Sequence, residues 1–96
     1  MTRDAVLKIL KDYYDANRER YGIVRLGVFG SVARDEATDD SDVDVVVELE
    51  QPKAFSLVHI REGIEALCGV HVDIIQMRRR MNERLKRRVI EDAAYV

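Results

Sequence analysis

Apolar residues recur along the chain at the spacing of helical faces in three separate regions. The i, i+3, i+4, i+7 spacing near the start predicts an amphipathic helix from residue 3 to about residue 20, closed near Gly22. A second stripe of apolar residues predicts another helix, with Gly69 as its C′ residue. A third helix is predicted to begin near Asn82, a good N-cap. The three apolar faces consist of Val6, Ile9, Leu10 and Tyr13; of Leu57, Ile60, Ile64 and Leu67; and of Leu85, Val89, Ile90 and Ala93.

Short runs rich in β-branched residues lie between these helices and predict strands. The first covers residues 24–29, stops at Gly30, and is followed by a brief helical turn over Ser31–Glu36. The second begins at Asp42 and alternates between two faces, and the third covers residues 70–76. In the second run Val43, Val45, Val47 and Leu49 share one face, while Asp42, Asp44, Val46 and Glu48 share the other. Helices that alternate with strands predict a compact α/β or α+β domain.

Length and composition narrow the class of protein. The 96 residues predict a single domain spanning 1–96, and no stretch approaches the roughly 18 apolar residues of a membrane span. Cys68, the one cysteine, cannot form an internal disulfide, and we expect a cytoplasmic protein. The net charge of −2 hides a segregation: residues 21–50 carry two basic and eight acidic side chains, whereas residues 76–96 carry seven basic and three acidic ones.

The second strand poses a chemical question because it begins with two aspartates. Asp42 and Asp44 project from the same face with Cα atoms about 6.5–7 Å apart, so their charges repel unless a cation lies between them. One interpretation is a solvated strand edge that deters edge-to-edge pairing. A second interpretation is an EF-hand calcium loop. It fails because Val45 stands where the loop requires Gly, and Gln51 stands where it requires its final Glu. A Mg²⁺ site whose ions also bind a nucleotide triphosphate is the third.

Three other features favour the Mg²⁺ interpretation. Gly30 and Ser31 end the first strand with a small pair whose backbone N–H groups could approach a phosphate closely. Arg34 follows one helical turn later, where a guanidinium could meet phosphate oxygens. Asp73 interrupts an apolar third strand, where a carboxylate is costly unless it is paired or bound to metal. His71 shares a face with Asp73 and is a weaker candidate. The chain has neither a Walker A motif nor a G-x-G-x-x-G pattern.

The runs "GSVAR" at 30–34, "SDVDV" at 41–45 and "VDII" at 72–75 together resemble the signature of nucleotidyltransferases of the DNA polymerase β superfamily. The length, layout and basic ending resemble its minimal, single-domain MNT proteins. The resemblance implies the polymerase-β-like fold, with a small mixed sheet of three to four strands flanked by helices. One departure is Asp35, where the family usually has Gly after the arginine, and this could slightly disfavour phosphate binding.

The resemblance also implies a role for each matched residue. Asp42 and Asp44 would ligate two Mg²⁺ ions, and Asp73 would complete the metal nearer the attacking hydroxyl and help deprotonate it. Gly30 and Ser31 would hold the β- and γ-phosphates of ATP, with Arg34 as a supplementary contact. The implied reaction is transfer of AMP from ATP to a hydroxyl, with release of pyrophosphate.

The domain is too small to enclose an acceptor, so the acceptor is expected to be a macromolecule. The resemblance implies an antitoxin whose partner is a cognate HEPN-domain ribonuclease toxin, modified on a tyrosine. Two alternatives stay open: an antitoxin that neutralises its toxin by binding alone, and a small-molecule nucleotidyltransferase similar to aminoglycoside-modifying enzymes. A homodimer is plausible, and direct RNA binding is not expected because the basic last helix is interpreted mainly as a solvated face.

Overall fold

A computed structural model describes residues 2–38 and 40–96. Within these ranges helices and strands alternate along the chain, and no helix there is both long and apolar enough to cross a membrane. In chain order the elements are α1 (Arg3–Tyr21), β1 (Ile23–Phe29), α2 (Gly30–Ala33), β2 (Val43–Leu49), α3 (Ala54–Cys68), β3 (Val72–Gln76), α4 (Glu83–Asp92) and β4 (Ala94–Tyr95).

The strands form one mixed sheet in the order β3-β2-β1-β4. β1 pairs antiparallel with both β2 and β4, whereas β2 and β3 run parallel and are joined through α3. The register places Asp44 opposite Phe29 of β1 on one side and opposite Asp73 of β3 on the other. The predicted fold class, a small mixed sheet flanked by helices, is therefore confirmed.

The alternation along β2 assigns its residues to two hydrophobic clusters. Val43, Val45 and Val47 are buried in the larger cluster, to which α1 and α3 contribute. Val46 points to the opposite face and packs in a smaller cluster with Phe29 and with Val89 of α4. Asp44 lies on the same face as Val46 because the two residues are two positions apart in the strand. Asp44, and Asp73 beside it in β3, therefore lie on the face that α4 covers in part.

Several predicted details of the elements are wrong. The sequence predicts Ile90 and Leu67 in apolar faces, but their side chains are 68% and 57% exposed. On α4 the buried contact follows a four-residue spacing through Leu85, Val89 and Ala93, which turns Ile90 away from the sheet. β4 was not predicted, because a strand of two residues leaves no periodic pattern to detect.

Element boundaries also differ from the predicted ones by a few residues. β2 begins at Val43 instead of Asp42, and β3 begins at Val72 instead of residue 70. The helical turn occupies Gly30–Ala33 instead of Ser31–Glu36. Ends of elements are set by individual backbone hydrogen bonds, which side-chain periodicity does not report.

The docking of α4 rests on Val89, which gives a first prediction. The Val89 side chain is fully buried, so Val89→Ala should lower the free energy of unfolding by about 2 kcal/mol through lost burial and a residual cavity. Ile90→Ala, at the next position of the same helix, should change it little because Ile90 is mostly exposed. Urea unfolding of both variants measures this difference, and equal losses would contradict the described packing of α4.

Candidate active site

Three aspartates from β2 and β3 meet at one end of the sheet. Asp42 immediately precedes β2, Asp44 is its second residue, and Asp73 lies opposite Asp44 in β3. Asp42, Asp73 and His71 each offer one ligand atom, and these atoms lie within 4.8 Å of one another. The structure thus brings Asp42 and Asp73 together with His71, the weaker candidate of the sequence analysis. Asp44 is outside this group of ligand atoms, but the charges of Asp73 and Asp42 both act on its carboxyl.

Burial and the neighbouring charged side chains shift the pKa of the Asp44 carboxyl. Burial raises its pKa above the ordinary value, the charge of Asp73 raises it further, and Asp42 contributes in the same direction. Arg88 and Arg34 oppose this effect. A carboxylate that is half buried beside two others is unfavourable when nothing neutralises it. Oxygen donors held in this way are the ligands that Mg²⁺ prefers, so the donor set fits a divalent cation.

Gly30 allows the Asp44 carboxylate to occupy its position. The residue is buried at the junction of β1 and α2, and its φ of +72° lies in the left-handed region. A Cβ added to Gly30 would overlap Asp44 Oδ2. Glycine is therefore required here both by backbone conformation and by space. Ser31 follows in the first turn of α2 and is half buried.

Arg34 is held by two carboxylates of the chain itself. Its Nη1 donates to Asp92 Oδ2 of α4 at 2.6 Å, and its Nε donates to Glu36 Oε2 at 3.1 Å. These bonds connect the end of α2 to the end of α4. Arg34 is still near enough to the site to lower the pKa of Asp44.

Arg88 is a second cation near the site that the sequence did not single out. Its guanidinium lies over the Phe29 ring, 5.9 Å from the centroid, and it lowers the pKa of Asp44 more than Arg34 does. The basic run of the last helix was visible in the sequence. Which of its arginines turns towards the carboxylates depends on how α4 docks, and no local pattern reports that.

One argument for Asp73 is corrected by the structure. The sequence suggested a costly carboxylate among apolar neighbours, but the Asp73 side chain is 55% exposed because β3 is an edge strand. Its Oδ1 hydrogen-bonds His71 Nε2 at 3.0 Å. Asp73 therefore belongs with the other two aspartates because of its position, not because of its burial.

Glu65 of α3 fixes the start of β3 and was not predicted to do so. Its Oε2 accepts hydrogen bonds from Arg61 Nη1 at 2.8 Å and from the Val72 backbone N–H at 3.1 Å. His71 Nδ1 lies 3.4 Å from the same oxygen. Glu65 therefore contacts both His71, which in turn contacts Asp73, and the Val72 backbone at the start of β3.

These contacts give a prediction for the pH dependence of stability. The Val72 hydrogen bond, with the charges of Arg61 and His71, lowers the pKa of Glu65 below its ordinary value of 4.5. The unfolded chain then binds more protons between the two pKa values, so this stabilisation is complete above about pH 4.5 and is lost as the pH falls through the lowered value. Glu65→Gln should remove that part of the acid dependence.

Unfolding of the wild type and Glu65→Gln across the acid range measures this effect. Glu62→Gln on the same helix is a suitable control, because Glu62 is exposed and makes no ion pair among those of the described residues. Parallel acid profiles for the wild type and Glu65→Gln would contradict the assigned role.

The structure shows how Asp35 fits at the position where the resemblance to the family predicts glycine. Its φ is +57°, in the left-handed region where glycine carries no steric cost and aspartate is tolerated. The Asp35 Oδ1 accepts the Arg3 backbone N–H at 3.2 Å, which ties the loop to the start of α1. The turn that glycine favours therefore forms with aspartate in its place.

The fold and the site agree with one class of protein. The family model for the nucleotidyltransferase domain matches residues 8–96 of this chain. A solved structure of a minimal nucleotidyltransferase superposes with a TM-score of 0.79 at 34% identity, covering 98% of this chain and 95% of that one. The chain therefore belongs to the nucleotidyltransferase domain family and is a nucleotidyltransferase.

Its similarity extends to a named enzyme. The chain is 35% identical over 97 residues to the protein adenylyltransferase MntA of Thermococcus cleftensis, which covers 100% of this chain and 97% of that protein. A crystal structure of a toxin–antitoxin with AMP-PNP superposes with a TM-score of 0.71, covering 99% of this chain and 72% of the other. That chain is only 16% identical, so the superposition shows a shared fold alone.

Proposed function

We propose that this protein is an antitoxin that transfers AMP from ATP, with Mg²⁺, to a tyrosine hydroxyl of a cognate HEPN-domain toxin. The observation that carries the proposal is the convergence of Asp42, Asp44 and Asp73 beside a glycine that leaves room for the Asp44 carboxylate. The names of similar proteins support it: a protein adenylyltransferase MntA, and an MNT antitoxin in complex with a tri-AMPylated HEPN toxin of Shewanella oneidensis.

Each residue of the site has a proposed task. Asp42, Asp44 and Asp73 would hold two Mg²⁺ ions, and bound Mg²⁺ would stabilise charge on the entering and leaving oxygens. Gly30 and Ser31 would lie against the β- and γ-phosphates, because they begin α2 directly beside Asp44. Arg34 would add a phosphate contact, for which it must exchange Glu36 or Asp92 for the nucleotide.

The proposed reaction is a single in-line displacement. The acceptor oxygen forms a bond to the α-phosphorus of ATP, the bond from that phosphorus to the bridging oxygen breaks, and pyrophosphate leaves. Asp73 accepts the hydroxyl proton, which suits an exposed carboxylate at the open end of the site. The hydrogen bond from His71 holds Asp73 Oδ1 in position before the acceptor arrives.

Transfer of label from ATP to the toxin tests the proposal. The purified protein is incubated with ATP labelled on the α-phosphate, Mg²⁺ and its cognate HEPN toxin, and the product is mapped by mass spectrometry. Label on a toxin tyrosine that disappears with Asp42→Ala supports the proposal. Tight binding of the toxin without label would overturn it in favour of neutralisation by binding alone, and label on an aminoglycoside would indicate a small-molecule enzyme.

A further inference from the structure

Three side chains form a row across the face of the sheet that α4 covers in part. Phe29 of β1 is paired with Asp44 of β2, and Asp44 is paired with Asp73 of β3. Residues paired across neighbouring strands project from the same face of a sheet. The Asp44 side chain therefore lies between those of Phe29 and Asp73, and Gly30, which begins α2 directly after Phe29, lies against it.

Arg88 of α4 lies over the Phe29 end of this row. Its guanidinium is 5.9 Å from the centroid of the Phe29 ring, within the range of a cation–π contact. Val89, the next residue of α4, is fully buried in the cluster that contains Phe29. The docking of α4 therefore places Arg88 beside the junction of β1 and α2, where the proposed phosphate contacts begin.

An ion pair holds the same side of α4 in place. Asp92 follows Arg88 by one helical turn, and residues at this spacing share one side of a helix. Asp92 Oδ2 accepts a hydrogen bond from Nη1 of Arg34, at the end of α2, at 2.6 Å. Val89 and Asp92 thus fix the helix backbone around Arg88. The Arg88 side chain is itself exposed, so it can reorient without movement of the helix.

Arg88 acts on the carboxylates of the site without being paired to one of them. It lowers the pKa of Asp44 more than Arg34 does. Arg34 is held by two carboxylates, whereas Arg88 makes none of the ion pairs found within residues 2–38 and 40–96. A guanidinium presents its N–H donors in a planar fork that matches phosphate oxygens. Arg88 is therefore a cation beside the site whose donors an anionic ligand can use.

We propose that Arg88 is a further nucleotide-binding residue, whose guanidinium donates to the triphosphate of ATP beside Gly30 and Ser31. This inference rests on the proposed function and adds a residue of the last helix to its nucleotide site. During the proposed reaction negative charge develops on the departing pyrophosphate, and a guanidinium at this position stabilises that charge.

Arg88→Gln tests the inference by removing the charge and the fork from an exposed position. We expect the Kd for AMP-PNP with Mg²⁺ to rise by about 10- to 100-fold, the usual loss for a hydrogen bond to a charged group. Isothermal titration calorimetry without the toxin measures it. Arg88→Lys keeps the charge and should lose less. Arg87→Gln is the matched control, because Arg87 is exposed and is not among the charges that shift the pKa of Asp44.

Two further ligands separate a phosphate contact from other roles of Arg88. Pyrophosphate with Mg²⁺, in competition with AMP-PNP, should lose affinity for Arg88→Gln to a similar extent, since it carries phosphates and no base. Mn²⁺ without nucleotide should bind Arg88→Gln at least as tightly as the wild type, because a positive charge beside Asp44 has been removed.

The outcomes distinguish this inference from the proposed function. Wild-type affinity of Arg88→Gln for AMP-PNP would overturn it, and so would an equal loss in Arg87→Gln, which would reflect the charge of α4 alone. Unchanged pyrophosphate binding would assign Arg88 to the adenosine, and weaker Mn²⁺ binding would assign it to the shape of the carboxylate site; either would also overturn it. Absence of label on the toxin with the wild-type protein would instead remove the proposed function, whatever Arg88 contributes to AMP-PNP binding.

Discussion

Asp44→Asn is expected to abolish nucleotidyl transfer while raising the free energy of unfolding of the metal-free protein. The substitution keeps the shape of the side chain and removes the charge that burial, Asp73 and Asp42 all disfavour. We expect transfer to fall by about 10²–10³-fold, the loss that follows removal of one electrostatic group from an active site. The gain in stability should be about 1 kcal/mol, the scale of repulsion between nearby charges in contact with water.

The same substitution should change how stability depends on pH. Because the pKa of Asp44 is raised in the folded state above its ordinary value of 3.8, the folded chain binds more protons than the unfolded chain between the two values. The wild-type protein without metal therefore loses stability as the pH rises through that interval, and Asp44→Asn does not. Chemical unfolding in the presence of a chelator, at several pH values, measures the difference.

Asp40→Asn is the control for Asp44→Asn. Asp40 is exposed in the acidic loop before β2, so its replacement makes the same change in net charge without touching the half-buried carboxylate. It should leave both transfer and the stability of the metal-free protein close to those of the wild type. A lower free energy of unfolding for metal-free Asp44→Asn would show that the charge of Asp44 is satisfied by the protein alone.

Gly30→Ala should inactivate the enzyme through Asp44. The new Cβ would overlap Asp44 Oδ2, and the φ of +72° is unfavourable for alanine by about 1–2 kcal/mol. The buried Gly30 backbone cannot move easily, so the carboxylate must leave its position. We expect a fall of about 100-fold in transfer, the effect of a displacement of about 1 Å in a catalytic group.

Gly69→Ala is the control that separates the steric overlap with Asp44 from the cost of placing alanine in a left-handed backbone conformation. Gly69 ends α3 with the same φ of +72°, but an added Cβ meets nothing within 4 Å. Both variants share the conformational cost of alanine at this φ, and only Gly30→Ala should also displace Asp44 and lose transfer. If Gly30→Ala retained activity, or if Gly69→Ala lost as much, the contact between Gly30 and Asp44 would have no catalytic importance.

Most of the fold follows from local patterns in the sequence. The alternation of β2 fixes which residues share the face of Asp44. The predicted stripe of α1 includes Val6, Leu10 and Tyr13, which are buried, and Ile9, which is only half-buried. Ile90 shows the limit of this reasoning. A helix of ten residues that touches the sheet along one line buries a narrower stripe than its apolar residues suggest.

The site shows a similar division between local and long-range information. The spacing of Asp42 and Asp44 places both on one face, but Asp73 reaches them only through the parallel register of β2 and β3. The contacts of Glu65 with His71 and Val72, and of Arg34 with Asp92, join residues from different elements. Such pairs depend on how elements dock, and a single sequence does not record that.

Binding of a divalent cation is the most direct measure of the central claim, that three carboxylates from two neighbouring strands form one site shared with ATP. Mn²⁺ can be titrated against the protein with AMP-PNP and followed by electron paramagnetic resonance, with no toxin present. We expect Asp42→Asn, Asp44→Asn and Asp73→Asn each to weaken binding by about tenfold or more, and Asp40→Asn to leave it unchanged. Wild-type affinity in Asp73→Asn would contradict the account, because the third carboxylate would then lie outside the site.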